Sequence, residues 1–217
     1  MIEPLRFAIA VVPIASYLIL MGLVNLRRRP VVVTGAGDLA ALGIALTGVA
    51  FVGPIALFRP EAATAELGNF VWLFLLAFYW LWVALIVMLC RPRLVIYNVT
   101  AEELRPVLSD VMRQLDAAGR WAGDNVALPG LGVQVHLDGF PWMRNTSLVA
   151  SGGRQDLAGW RRFGRGVERA MRMTAAVPNP RGWLLLGVGV ALFVLAIARM
   201  AIDPASVAES WDQVFAY

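Results

Sequence analysis

Polar residues all but vanish from four stretches of the chain: Phe7 to Leu26, Leu39 to Phe58, Phe70 to Cys90, and Trp183 to about Ile202, the last with Arg199 near its end. Each is close to the roughly 20 residues that cross about 30 Å of hydrocarbon at about 1.5 Å per residue. The pattern predicts four transmembrane helices. Pro13 and Pro54 fall inside the first two and are expected to kink them, because proline removes a backbone donor and crowds the preceding turn. In the fourth, Gly187 and Gly189 permit close helix approach but lack the four-residue spacing of a strong dimer motif.

Between the third and fourth runs the pattern changes to that of a small folded domain, residues 91–181. "LVIYNV", Leu94 to Val99, reads as a buried strand. Thr100 and Glu103 then fit a capping box, with Val99 and Leu104 as its hydrophobic staple. Leu104, Val107, Leu108, Val111 and Leu115 recur on one helical face. Pro106 places the start of the regular helix nearer Arg105, and Gly119 is expected to end it. "NVALPGLGVQVHLDGF" and "RNTSLVA" read as further strands, with Val133, Val135 and Leu137 facing a core and Gln134, His136 and Asp138 facing out. "DLAGWRRFGRGVERAMRM" predicts a second helix that turns Leu157, Trp160, Val167 and Met171 inward. The expected architecture is a membrane α-helical protein with an α+β domain inserted between helices 3 and 4. That domain is read as a sandwich, of ferredoxin-like type, with its helices on one face of an antiparallel sheet. The chain divides into three transmembrane helices over 1–90, the domain over 91–181, and the fourth helix with a short tail over 182–217.

Charge adds an orientation. Sixteen arginines and nine acids lie on the side that holds residues 91–181, against three arginines and six acids on the other. The positive-inside bias makes the first side cytoplasmic and puts both termini outside. The first run lacks a basic segment before it and ends in Arg27, Arg28 and Arg29, so it is expected to stay in the mature protein as a helix. All nineteen basic residues are arginine, as a G+C-rich genome would produce, and the expected location is a bacterial inner membrane. With 59% hydrophobic and 16% charged residues, the composition is far from the soluble average.

Candidate chemistry is sparse. The middles of the four runs carry no Asp, Glu, Lys, Arg or His, which argues against a pore or pump built from this chain alone. The one histidine, His136, lies outside the runs and ligates no haem or chlorophyll-type pigment within them. The single Cys90 excludes an internal disulfide and a multi-cysteine metal site. "TGAGD" and "SGGRQD" match neither phosphate-loop pattern, and the sequons at Asn98 and Asn145 fall on the side predicted to be cytoplasmic. Asp124, His136 and Asp138 stand as isolated residues, so catalysis is not expected.

Three surfaces remain as candidates for binding. The third run holds seven aromatic residues, Phe70, Trp72, Phe74, Phe78, Tyr79, Trp80 and Trp82, and extends them past the bilayer midplane. An interfacial belt does not explain so many. The face they form is expected to pack on the protein's own helices, on a neighbouring membrane subunit, or on a carotenoid, quinone or lipid. In the second domain helix, Arg161, Arg165, Arg169 and Arg172, with Arg162 beside them, make a basic stripe suited to anionic lipid headgroups or an acidic partner. Nucleic acid is not expected, because stacking aromatics and a binding motif are missing. The acidic tail "DPASVAESWDQVFAY" reads as an external docking segment anchored by Trp211, Phe215 and Tyr217. Two functions follow. One is a non-catalytic accessory subunit of a larger membrane complex, respiratory or photosynthetic. The other is a membrane-tethered regulatory or sensory module that reads lipid charge or an acidic partner through its cytoplasmic domain.

Overall fold

A computed structural model describes residues 3–55, 68, 70–153, 155–205 and 207–208. In chain order its elements are α1 (Pro4–Leu26), β1 (Val31–Thr34), α2 (Gly35–Ala50), α3 (Phe70–Leu89), β2 (Arg93–Tyr97), α4 (Ala101–Leu115), β3 (Arg120–Ala122), β4 (Asn125–Leu128), β5 (Val133–Phe140), β6 (Asn145–Ala150), α5 (Leu157–Met173) and α6 (Gly182–Ile202). A π turn, Phe51–Ile55, follows α2 and contains Pro54. Helices α1, α2 with part of that turn, α3 and α6 are each long and apolar enough to cross a membrane. The chain forms two compact units. One comprises Met1–Met21, Leu39–Leu89 and Leu184–Tyr217, and the other Gly22–Asp38 and Cys90–Trp183.

In the helical unit, small residues set the packing. Ala8, Ala15, Ala45 and Ala196 are buried, and glycines occupy the points where helices touch. A Cβ on Gly43 would lie 2.9 Å from a Val83 methyl of α3. One on Gly189 would lie 2.9 Å from the Ala15 carbonyl of α1. Gly187, by contrast, faces open space. Apolar helices gain little from hydrophobicity against one another in lipid, so close backbone approach through small residues carries their association.

The second unit is built on a six-stranded sheet, β1-β2-β6-β5-β4-β3, in which every neighbouring pair is antiparallel. Its elements run strand, helix, four strands, helix, with a further edge strand supplied by the segment between α1 and α2. That order differs from the strand–helix–strand–strand–helix–strand arrangement of a ferredoxin-like domain. One core joins the sheet to α4 and α5, with Ile96, Leu104, Leu108, Leu128, Leu148, Phe163 and Val167 fully or almost fully buried. Strand β5 alternates as expected: Val133, Val135 and Leu137 are buried while Gln134, His136 and Asp138 are exposed.

The capping box forms. The Glu103 amide donates to Thr100 Oγ1, and the Thr100 amide to Glu103 Oε2 at 3.0 Å. Both Glu103 oxygens also accept from Arg144, at 2.7 and 2.8 Å. Partial burial pushes the Glu103 carboxyl upward, but the Thr100 amide and the Arg144 guanidinium outweigh it and hold it below the ordinary glutamate value. Contrary to expectation, α4 begins at Ala101 and carries Pro106 inside it. The bond lost there would have gone to the Glu102 carbonyl, on an exposed stretch where water can replace it. The helix ends at the Asp116 cap, and Gly119 closes the turn after it, its amide donating to the Asp116 carbonyl.

Candidate functional site

Eight residues after α1, "RRRPVVVT", build the site's first wall. Val31 to Thr34 are β-branched and form an edge strand, paired Val31↔Tyr97 through Thr34↔Leu94 with β2. The backbone leading into it is fastened carbonyl by carbonyl. Asn25 O accepts from the Asn179 amide at 2.9 Å, Arg27 O from Asn98 Nδ2 at 2.6 Å, and Arg28 O from the Ala176 amide at 2.9 Å. Asn98 reaches Arg27 from a left-handed conformation, φ 66°, which asparagine tolerates better than most residues. With its carbonyls held inward, this segment leaves Arg27, Arg28 and Arg29 exposed above a buried Pro30.

Helix α5 builds the second wall. Asp156 caps its N-terminus, accepting from the Gly159 amide at 2.8 Å. Phe163, Val167 and Met171 are buried beneath it, and Trp160 packs at the edge of the same cluster. Leu157, expected to face inward, is 63% exposed, and Phe163 holds the central core position instead. The inward face therefore runs through 163, 167 and 171, steps of four, and passes Leu157 by.

The arginine stripe lies on the outer face, and all five of its members are exposed. The fold divides it. Arg161 and Arg165 line a groove of about 560 Å³ with Val32, Thr34, Leu94 and Trp160. Arg172 lines an adjoining groove of about 490 Å³ with Arg27, Arg29, Pro30 and Val31. Val32 and Glu168 border both. Arg169 turns to a different groove, of about 400 Å³, that it shares with Asp110 and Gln114 of α4. Arg162 lines none of the three.

Five arginines thus meet one carboxylate along the double groove, a formal excess of five minus one, or four. Glu168 is itself paired with Arg172 at 2.7 Å. Guanidinium groups match phosphate and carboxylate oxygens two at a time, and Val32, Leu94 and Trp160 give the first groove an apolar floor. The arrangement can hold an anionic, amphipathic group. Arg27 and Arg29 escape a reading of the stripe alone. The signal for them was the β-branched run Val31 to Val33 that follows Pro30.

The other predicted residues go elsewhere. Of the seven rings on α3, Trp72 packs on Phe51 with centroids 4.7 Å apart, and Tyr79 donates its hydroxyl to the Gly43 carbonyl at 2.7 Å. Trp80 meets Tyr79 edge-on at 5.7 Å. Phe70, Phe74, Phe78 and Trp82, four residues apart, are each more than half exposed. Trp211, Phe215 and Tyr217 lie outside the described residues. His136 is exposed with Nδ1 3.1 Å from Asn125 Oδ1, and Asp124 pairs with Arg105. Among the described residues no group of His, Cys, Asp and Glu is arranged to hold a metal.

No protein family, curated protein or solved structure matches the chain. Fold and site together define a class: apolar helices able to span a membrane, joined to an α+β unit with an arginine-lined groove on its sheet edge.

Proposed function

We propose that this chain is a non-catalytic membrane protein whose α+β unit holds anionic lipid headgroups in the double groove, as a tethered regulatory or sensory module. The observation that carries this reading is the pairing of β1 with β2, which sets Arg27 and Arg29 beside Arg172. Arg27 follows the last residue of α1 and Gly35, the first of α2, follows β1, so a basic groove adjoins the ends of two apolar helices. Headgroups lie at that level when those helices cross a bilayer. On this reading residues 91–181 lie on the cytoplasmic side of a bacterial inner membrane with both termini outside, a placement the arginine bias supports, and anionic lipid there attracts basic residues by roughly 1 kcal/mol each. Reversing Arg161, Arg165 and Arg172 to Glu is therefore expected to weaken anionic lipid association by about 3 kcal/mol, on the order of a hundredfold. Lipid retained by the purified full chain, compared by mass spectrometry with the variant, measures this. An unchanged preference for anionic over zwitterionic lipid, with the variant still folded and membrane-integrated, would sink the reading.

A second reading is favoured by the outward row Phe70, Phe74, Phe78 and Trp82. In it the chain is an accessory subunit of a larger membrane complex, of the energy-transducing kind, whose neighbouring helix, carotenoid, quinone or lipid covers those rings. Purification in mild detergent through a tag on this chain should then yield a stoichiometric partner by mass spectrometry, or a pigment band by absorption. A bare, colourless protein would count against it.

A further inference from the structure

The turn that joins β5 to β6 carries two large apolar side chains where the rest of the strand's outer face is polar. Phe140 is 57% exposed and Trp142 53%, with ring centroids 6.4 Å apart, whereas Gln134, His136 and Asp138 precede them on β5. A short 3-10 turn, Pro141–Met143, follows Phe140 at the end of β5 and holds Trp142, closed by Arg144 at φ 52° whose amide donates to the Pro141 carbonyl at 3.1 Å. Such a projecting aromatic pair is costly in water and serves no core.

Its surroundings say what it meets. Asn179, almost wholly buried, donates from Nδ2 to the Met143 carbonyl at 3.1 Å and from its amide to the Asn25 carbonyl at 2.9 Å. Its own Oδ1 accepts from the Arg181 amide at 3.1 Å, and its carbonyl from the Gly182 amide at 2.9 Å. The guanidinium of Arg181 stacks over the Trp142 ring, 4.7 Å from its centroid, and donates to the Trp142 carbonyl. One buried asparagine therefore binds the hairpin tip to the last turn of α1 and the first residue of α6. Trp183, the second residue of α6, is itself 67% exposed. Tryptophan beside arginine at the end of an apolar helix is the composition of the membrane–water boundary, where the ring sits among headgroups and the guanidinium reaches phosphate.

We propose that the β5–β6 hairpin tip is a membrane-interface anchor that buries Phe140 and Trp142 at the headgroup level of the bilayer crossed by α1 and α6. The occupant is lipid, because the tip is fastened to the very residues at which those helices leave the hydrocarbon. The inference rests on reading the apolar helices as membrane spans, and the test separates the two. In a Cys90→Ala background, a nitroxide is placed by Phe140→Cys at the tip, by His136→Cys further along the same strand, and by Leu195→Cys within α6. The full chain is reconstituted in nanodiscs of phosphatidylcholine and phosphatidylglycerol, and collision with oxygen is compared with collision with a water-soluble nickel chelate.

The expected ratio of oxygen to nickel collisions at 140 is several-fold above that at 136 and approaches that at 195. A ratio at 140 equal to that at 136, with 195 lipid-like, overturns the anchor and leaves the spans standing. A water-like value at 195 overturns both. Should the circular dichroism of Phe140→Cys depart from the parent's, Trp142→Phe decides instead. The anchor predicts that this variant loses part of the tryptophan emission quenched by lipid brominated near the headgroup, and an undiminished quenched fraction overturns it.

Discussion

Phe163→Ala should lower the stability of the α+β unit by about 3–5 kcal/mol, the usual cost of removing a fully buried phenylalanine from a core. Phe163 is completely buried in the cluster that joins α4 and α5 to the sheet, with the Trp160 ring 5.9 Å away. A domain of this size holds on the order of 5–15 kcal/mol in total, so the loss removes much of its margin. The companion substitution Leu157→Ala, six residues earlier on the same helix and 63% exposed, should stay within about 0.5 kcal/mol. Hydrogen exchange of the α5 and β5 amides in the detergent-solubilised chain reads both. Equal acceleration in the two variants would mean that α5 presents a different face to the sheet.

That contrast marks where local pattern stops being informative. The alternation Val133, Val135, Leu137 and the reciprocal bonds of Thr100 and Glu103 are short-range, so the chain displays them to a reader directly. Long apolar runs are equally plain. Leu157 is different. As the first residue of α5 it has no preceding turn of helix, and whether it is covered depends on what the sheet places there. The rings of α3 show the same limit. That helix is apolar all round, and only the positions of Gly43 and Phe51 select Tyr79 and Trp72 as inward members while Phe70, Phe74, Phe78 and Trp82 remain outside.

The groove depended on the longest-range fact of all. Val31 pairs with Tyr97, sixty-six residues away, and no periodicity within "RRRPVVVT" announces that partner. Arginines that read as an orientation signal between two helices therefore line a groove, through a strand whose register is set by β2. The stripe was legible, because Arg161, Arg165 and Arg172 share a helical face. Its division between grooves was not, since Arg169 turns toward α4 only because α4 lies against α5.

Gly48→Ala is expected to be the most damaging small change in the helical unit, and the reason begins thirty-five residues earlier in the chain, at Pro13. Proline has no amide hydrogen, so the carbonyl four residues before it, that of Ile9, loses its helical donor. Gly48 of α2 packs on that same carbonyl: a Cβ built there would stand 1.9 Å from Ile9 O and 2.9 Å from its carbon. The hydrogen now in that direction points at the freed oxygen, a weak contact that recurs between closely packed helices. A methyl group would meet backbone rather than a movable side chain, so α1 and α2 must separate and the oxygen is left in apolar surroundings. The cost should reach at least the 1–3 kcal/mol typical of overpacking. Gly187→Ala supplies the control, because nothing lies within 4 Å of its Cβ position, and alanine there should be neutral or mildly stabilising. Thermal unfolding midpoints of the two variants in one detergent decide the matter. Identical midpoints would mean that α1 and α2 do not meet through Gly48, and that the carbonyl freed by Pro13 is satisfied in some other way.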